Sequence, residues 1–169
     1  MLHFLSRCGP GLALLLLSAC QGYDVTLNER VVYSPPPLFR AFDITDDALR
    51  ACVQQVIEDE SITRAGQLES LNCSNAGIES IEGLQVFSGL TRVRLSDNRI
   101  RNLLALGELQ QLQQLYLSNN RVVDPVPLYA LEKLTTLDLD TNPALQCPAP
   151  GALSQVEQLS LPAHCPGDN

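Results

Sequence analysis

The stretch LTRVRLSDNRIRNLLALGELQQ, residues 90–111, is followed directly by LQQLYLSNNRVVDPVPLYALEK, residues 112–133, and the two share one apolar pattern. Each opens a unit in a series that repeats every 22 residues. The series has five opening positions: Leu68, Leu90, Leu112, Leu134 and Val156. In the second unit, apolar residues follow the opening position at offsets of three, five, ten, thirteen, sixteen and nineteen, and its neighbours keep most of them. Because one such unit cannot bury its own apolar residues, the units are predicted to stack.

Two features within each unit have a structural reason. The Leu-x-Leu pair, such as Leu115 and Leu117, places both side chains on one side of a short strand, since strand side chains alternate. An asparagine stands eight residues after the opening position in three units, at Asn98, Asn120 and Asn142. Its amide both donates and accepts hydrogen bonds, so stacked coils are predicted to form an asparagine ladder along the backbone.

The remainder of each unit is predicted to return to the next strand without an α-helix. Apolar residues spaced by three match a 3₁₀ or extended segment better than a helix with 3.6 residues per turn. Pro125 and Pro127, and the Asn142-Pro143 pair, predict irregular returns in the third and fourth units. The alternative is a set of leucine-rich amphipathic helices, which does not account for asparagine at three equivalent positions.

This pattern resembles the leucine-rich repeat superfamily, in its 22-residue class, as found in bacterial internalins. The resemblance implies an α/β solenoid. We expect a short right-handed leucine-rich-repeat coil with a concave parallel sheet of about five short strands, an irregular or 3₁₀ convex side and an N-terminal α-helical cap. The repeats are assigned to residues 68–162, and a C-terminal tail or cap to residues 163–169.

The N-terminus has the composition of a secretory signal. Residues 1–19 contain one basic residue, no acidic residue and an apolar run too short to span a bilayer. The segment ends Leu17-Ser18-Ala19-Cys20, which resembles the lipobox of bacterial lipoproteins. That resemblance implies acylation of Cys20, cleavage before it and, with Gln21 following, transfer to the outer membrane of a Gram-negative cell envelope, facing the periplasm or the surface. The alternative is an ordinary cleavage site with Cys20 as a plain cysteine.

Residues 20–43 are predicted to form a lipid-anchored, proline-rich tether. Ser34-Pro35-Pro36-Pro37 favours a stiff polyproline spacer, and disorder is the alternative. Removal of the signal leaves ten basic and nineteen acidic residues, a net charge of −9. This acidic balance argues against nucleic acid as a partner.

Residues 44–67 are assigned to the N-terminal cap of the solenoid. Residues 45–59 read as an amphipathic helix with Thr45 as its N-cap and Ile44 packing on Leu49 as a hydrophobic staple. A solenoid exposes its core at its ends, so this helix is predicted to act as a lid. A membrane-surface or partner-binding helix is the alternative.

Four cysteines lie beyond Cys20, and an oxidising envelope compartment favours pairing them. Cys73 replaces the second leucine of the first strand and points under the lid, where Cys52 also faces, so these two are predicted to bond. Cys147 and Cys165 flank the last coil and are predicted to form the second disulfide. The alternatives are a buried Cys73 thiol and a four-cysteine zinc site, against which the sequence offers no Cys-x-x-Cys pair.

Strand residues that alternate with the leucines are predicted to line the concave face. They give a basic patch, an aromatic residue and an acidic patch in succession, which is favourable for orienting a protein partner. Six of these side chains are predicted to bind the partner: Arg92, Arg94, Gln114, Tyr116, Asp138 and Asp140. The alternative is that they form only the polar surface of a sheet.

The expected function is therefore that of an envelope-anchored, non-catalytic protein that binds another protein through its concave face. A structural envelope scaffold or a glycan- or peptidoglycan-binding module is the alternative. Catalysis is not expected. After signal removal His164 is the one histidine, Asp138 and Asp140 lie on an open sheet, and no phosphate loop, metal cluster or nucleophile motif is present. No cofactor or metal is predicted.

Overall fold

The computed structural model describes residues 25–27 and 30–165, which fall into two units divided between Pro37 and Leu38. In the first unit, strand β1 (Val25–Leu27) pairs antiparallel with strand β2 (Arg30–Tyr33). This pairing lies within the predicted tether, for which an extended spacer was expected. The predicted signal peptide and the acylation site at Cys20 lie outside the described residues. None of the helices that the structure describes combines the length and apolar character needed to cross a membrane.

The second unit contains one five-stranded parallel sheet, with strands of three residues each. Its order follows the chain, and each strand pairs with residues 22 positions away in the next. The sequence period therefore sets the strand register, and the predicted short solenoid is confirmed. The strands are β3 (Ser70–Asn72), β4 (Arg92–Arg94), β5 (Gln114–Tyr116), β6 (Thr136–Asp138) and β7 (Gln158–Ser160).

The apolar positions of each unit form one continuous core behind the sheet. Leu112, Leu115 and Leu117 are fully buried, as are their equivalents in the second unit. The returns of the first three units contain 3₁₀ segments at Leu84–Val86, Leu104–Glu108 and Val126–Leu128.

The irregular return predicted for the third unit is wrong. Pro125 is buried and stands at the start of the 3₁₀ segment, and Pro127 lies within its first turn. A proline is tolerated there because its fixed φ suits a helical turn and the N–H that it lacks has no partner at that point.

The fourth return is irregular, as predicted, and contains no 3₁₀ segment in the described chain. In earlier coils Arg99 and Arg121 donate their backbone N–H groups to the preceding coil at 2.8 and 2.9 Å. Pro143 occupies the equivalent position and has no N–H to donate. The next backbone hydrogen bond to the preceding coil is made by Gln146, whose N–H donates to the Val123 carbonyl at 2.8 Å.

The three asparagines join neighbouring coils through backbone groups. Asn98 Oδ1 accepts from the N–H groups of Ala76 and Ile78, while Nδ2 donates to the carbonyls of Cys73 and Leu95. Asn120 and Asn142 repeat three of these four bonds one and two coils later, with Ile100 and Val122 as the N–H donors to Oδ1, and all three asparagines are buried. These bonds form the ladder expected from the sequence, and they satisfy backbone groups that the turn would otherwise leave buried and unpaired.

A left-handed residue precedes each ladder position, which the sequence analysis did not predict. Its φ lies between 54° and 60° in the four coils: Asn75, Asp97, Asn119 and Thr141. Asparagine and aspartate adopt this conformation at low cost, but a β-branched threonine does so only under strain.

Helix α1 (Asp47–Asp59) covers the N-terminal end of the core with Leu49, Val53 and Ile57. The prediction that Thr45 caps this helix is wrong, because Asp46 is the N-cap and its Oδ1 accepts from two backbone N–H groups at 3.0 Å. An aspartate competes well for this position because its carboxylate also favours the positive end of the helix dipole. Ile44 is buried, but it lies two residues before the cap, outside the usual staple position.

The carboxylate of Asp46 also holds the first return segment. Its Oδ2 accepts from the N–H groups of Glu79 and Ser80 at 2.8 and 3.0 Å. Burial alone would raise the pKa of Asp46, but the four N–H donors outweigh it and lower the pKa below its ordinary value of 3.8. One side chain therefore fixes the lid to the coil beneath it.

An aromatic cluster closes the same end, so the predicted tether boundary at residue 43 is too late. The rings of Phe39 and Phe42 lie 5.9 and 5.4 Å from the ring of the buried Phe87. The Phe39 N–H also donates to the Ile62 carbonyl at 2.8 Å. The chain thus begins to pack on the solenoid from Leu38 onward.

Both predicted disulfides are confirmed. Cys52 bonds Cys73 with a Cα separation of 6.0 Å, and Cys147 bonds Cys165 with a separation of 5.3 Å. The first bond ties α1 to the first coil, and the second closes a loop at the other end of the solenoid. A four-cysteine zinc site is excluded in this form because all four sulfurs are bonded to one another in pairs.

Candidate functional site

The sheet face is formed by the strand side chains that point away from the core. It corresponds to the predicted concave face. The strand register brings five of the six predicted residues into two adjacent columns, and Asp140 lies two residues beyond the end of β6. The central column is Asn72, Arg94, Tyr116, Asp138 and Ser160, and the second is Ser70, Arg92, Gln114, Thr136 and Gln158.

Alternation along the strands keeps the sheet face accessible. Leu115 is fully buried between Gln114 and Tyr116, both of which are partly exposed, while Arg92 and Arg94 flank a buried Val93 and are exposed. The strands are short and each residue takes the opposite side from its neighbour. The sheet face is therefore composed of polar and aromatic groups on an apolar support.

Arg94 and Tyr116 contact each other across adjacent coils. The Arg94 guanidinium carbon lies over the Tyr116 ring, 5.0 Å from its centroid. This cation–π contact restricts both side chains while leaving the guanidinium N–H groups able to donate to another molecule. The pair forms an ordered basic and aromatic centre on the face.

Arg92 is held in a similar way by the next coil. Its Nε donates to Gln114 Oε1 at 2.9 Å. The fork of the guanidinium still presents N–H donors in a planar arrangement that suits a carboxylate. Two arginines on the sheet face are thus oriented by contacts with the next coil.

The acidic residues lie toward the C-terminal end of the sheet face. Asp138 Oδ1 accepts from the Asp140 N–H at 3.0 Å, and Asp140 Oδ1 accepts from the Thr141 N–H at 2.7 Å. Over the described ranges, neither carboxylate takes part in an ion pair. Since neighbouring strands are about 4.8 Å apart, Arg94 and Asp138 stand roughly 10 Å from each other along the solenoid.

His164 lies apart from the sheet face and contacts the backbone. Its Nε2 is 2.9 Å from the Leu145 carbonyl oxygen, so the ring is in hydrogen-bonding contact with the backbone of the fourth return. Ligand atoms of Cys147, His164 and Cys165 lie within 4.8 Å of one another, but both sulfurs belong to the disulfide. This group does not form a metal site in the oxidised protein.

The 22-residue repeat predicts the columns, but the contacts between side chains within them were not predicted. The stacking of Arg94 on Tyr116 follows from their 22-residue spacing, which was sufficient to predict it. Two large apolar side chains on the return side were also not predicted to be exposed. They are Leu104 and Val126, which are 67% and 57% exposed. Their spacing of 22 was again the available signal.

The comparisons agree with this architecture. A family model described as leucine-rich repeats, two copies, matches residues 110–160. A crystal structure of an internalin, InlF, from Listeria monocytogenes has a TM-score of 0.63 and 24% identity, covering 70% of this chain and 36% of that one. The functional domain of InlJ from the same organism, described as including a cysteine ladder, has a TM-score of 0.54 and 26% identity. That match covers 69% of this chain and 26% of the other.

The chain thus spans about a third or less of the internalin structures that it matches. No curated protein matches the sequence at a significant level.

Proposed function

We propose that this chain is a leucine-rich repeat protein similar to the internalins, and that its sheet face binds another protein without catalysing a reaction. The observation that carries the proposal is the ordered centre of the face, where Arg94 lies over the Tyr116 ring. The proposed contact residues are Arg92, Arg94, Gln114, Tyr116, Asp138 and Asp140.

Three physical arguments support a protein as the ligand. Arginine and tyrosine are among the residues that contribute most to binding energy at protein interfaces. The two arginines are already oriented by Gln114 and Tyr116. The acidic patch at Asp138 and Asp140 lies farther along the same face, so a partner with charges of both signs is favoured in one orientation.

A binding role fits the acidic residues better than a catalytic one. Asp138 and Asp140 accept bonds from neighbouring backbone N–H groups on an open sheet. A carboxylate pair that transfers protons needs a site where the substrate is held and water is limited. We therefore assign these residues to partner orientation.

We further propose that the protein is anchored in the bacterial envelope by acylation of Cys20. The support is the Leu17-Ser18-Ala19-Cys20 sequence at the end of the signal-like segment. Two or more acyl chains hold a protein stably on a bilayer, whereas one chain holds it weakly. Cys20→Ser should leave an uncleaved or soluble protein. Unchanged membrane retention after a high-salt wash would argue against lipidation.

Photo-crosslinking in cells tests the binding proposal. A benzophenone amino acid is placed at Tyr116 in one variant and at Leu104 in a matched control, since Leu104 is exposed on the return side. The proposal expects one dominant protein adduct from position 116 that is absent from position 104. The adduct should disappear when Arg94→Glu is added.

Other results would contradict the assignment in distinct ways. Identical adducts from both positions would mean that the sheet face is not the binding site. Adducts to a second copy alone would favour a scaffold, and loss of binding to isolated peptidoglycan on Arg94→Glu would favour a glycan ligand.

A further inference from the structure

The outer edge of β7 carries backbone N–H and carbonyl groups whose equivalents in β3 to β6 are hydrogen-bonded to the next strand. Successive coils repeat one bond, in which the residue after a strand donates its N–H to the next strand. Leu117 donates to the Asp138 carbonyl and Leu139 to the Ser160 carbonyl, both at 2.8 Å. Leu161 is the next donor in this series. Within the described ranges its N–H has no acceptor.

The acceptor series ends in the same way. The Gln113 carbonyl accepts from Thr135 and Thr136, and the Thr135 carbonyl accepts from Glu157 and Gln158. The Glu157 carbonyl comes next, and no donor reaches it from the part of the chain that the structure describes. Because backbone groups alternate sides along a strand, both the N–H and the carbonyl of Leu159 also point away from β6.

The side chains beside this edge are less covered than their equivalents. Val156, Leu159 and Leu161 are each partly exposed, whereas the matching residues of the previous coil are at most 1% exposed. The opposite end of the sheet differs, since the Cys52–Cys73 disulfide ties α1 to the first coil. Within the described part of the chain, α1 thus covers one end of the sheet and no segment pairs with the outer edge of β7.

We propose that two copies of this chain associate through antiparallel pairing of their β7 strands, with a two-fold axis beside Leu159. In this arrangement each Leu159 N–H donates to the Leu159 carbonyl of the other copy. Each Leu161 N–H donates to the Glu157 carbonyl of the other copy. The four outward groups of one edge are satisfied by the same four groups of the second, which is the self-complementarity that a two-fold interface requires.

The composition of the edge favours a second copy as the occupant. Edge strands that avoid pairing usually carry lysine, an internal proline or inward charges. The strand Gln158–Ser160 has none of these, and Glu157 meets an uncharged Leu161 in the proposed register. The strand ends at Ser160, so the pairing extends over only a few residues. The contact is short compared with a stable interface of about 1,200 Å² or more, so association should depend on concentration.

The register makes a specific prediction about side chains. Gln158 of one copy stands opposite Ser160 of the other, as a pair with closely spaced side chains. Gln158→Lys/Ser160→Glu places opposite charges across the axis twice, while Gln158→Lys/Ser160→Lys places like charges there twice. Sedimentation equilibrium of the purified protein at low salt should give dissociation constants for the two variants that differ by about tenfold or more, with wild type between them.

Two controls accompany this measurement. Thermal unfolding by circular dichroism should show that both double variants remain folded. Arg94→Glu/Tyr116→Ala should leave association unchanged, which separates this proposal from partner binding by the sheet face. A wild-type protein that stays monomeric at a concentration of about 1 mM, or equal dissociation constants for the lysine–glutamate and lysine–lysine variants, would overturn the proposal.

Discussion

The apolar core and the sheet edge are covered by different elements and to different extents at the two ends of the solenoid. At the N-terminal end, α1, the aromatic cluster of Phe39, Phe42 and Phe87, and Asp46 cover the first coil. At the C-terminal end, the last described coil is closed on its return side by the Cys147–Cys165 disulfide, while the outer edge of β7 has no partner in the described chain.

This difference shows which parts of the fold the repeat itself can supply. Repeated residues provide strand register, core and ladder, because each coil satisfies the one before it. An end requires residues outside the repeat, and among the described residues the N-terminal end has the more extensive cover. We therefore expect stability to decrease from α1 toward β7.

The greatest loss of unfolding free energy is expected from truncating a core leucine, and it should differ between equivalent leucines at the two ends. Leu71 in β3 is 1% exposed and Leu159 in β7 is partly exposed. Leu71→Ala should cost about 2–5 kcal/mol of unfolding free energy, as should Leu115→Ala at the centre, through lost burial and a residual cavity. Leu159→Ala should cost roughly 1–2 kcal/mol, because less surface is removed from water in the native state. Urea unfolding of the three variants measures this gradient, and equal losses at Leu71 and Leu159 would contradict it.

The next effect concerns Asp46, the residue that ties the lid to the first return. Asp46→Asn replaces one acceptor oxygen by an amide that faces the N–H groups of Glu79 and Ser80. The expected cost at neutral pH is about 1–3 kcal/mol, because a charged acceptor is lost and two donors lose their partner. Asp47→Asn is the control, since Asp47 is exposed and its one ion pair among the described residues is with Arg50. A comparable loss in both variants would mean that the bonds to the return segment contribute little.

The same residue gives a pH dependence with a definite sign. The folded protein lowers the pKa of Asp46, so its contribution is present above about pH 4 and is lost as pH falls through the folded value. The stability advantage of wild type over Asp46→Asn should therefore be constant near neutral pH and shrink on acidification below about pH 4. An advantage that is unchanged at pH 2 would show that ionisation of Asp46 does not cause it.

The least change in stability is expected from exchanging residues at the left-handed positions of the first and fourth coils. Thr141 has a φ of 54° and Asn75 has a φ of 56°. Thr141→Asn should stabilise the protein by about 0.5–1 kcal/mol, and Asn75→Thr should destabilise it by a similar amount, because only threonine is strained there. Melting temperatures of both variants provide the check. A loss of stability in Thr141→Asn would show that other contacts of Thr141 outweigh the strain.

The sequence was sufficient for those features that each coil repeats. The 22-residue spacing placed Leu71, Val93, Leu115 and their equivalents in the core and put Arg94 beside Tyr116. It also predicted both disulfides, because Cys73 replaces a core leucine and Cys147 and Cys165 flank one coil. Each of these features follows because residues 22 positions apart occupy equivalent places in neighbouring coils. The spacing between adjacent strands then brings their side chains into contact.

The features that escaped prediction depend on contacts between non-equivalent segments. Thr45 and Asp46 are both suitable N-caps, and only the position of Glu79 and Ser80 beneath the helix distinguishes them. Phe39 and Phe42 lie in a proline-rich segment that reads as a tether until Phe87 provides a surface for them. Pro125 was expected to disrupt a return that its fixed φ in fact suits.

Amide hydrogen exchange measured by NMR at low protein concentration reports separately on the paired strands and on the outer edge of β7. We expect strong protection of the Leu95, Leu117 and Leu139 amides, which donate to the next strand, and little protection of the Leu161 amide. Protection of Leu161 should rise with concentration if β7 pairs with a second copy. Rapid exchange at Leu117, or protection of Leu161 equal to that of Leu139 in dilute protein, would contradict a stack of 22-residue coils with one covered and one open end.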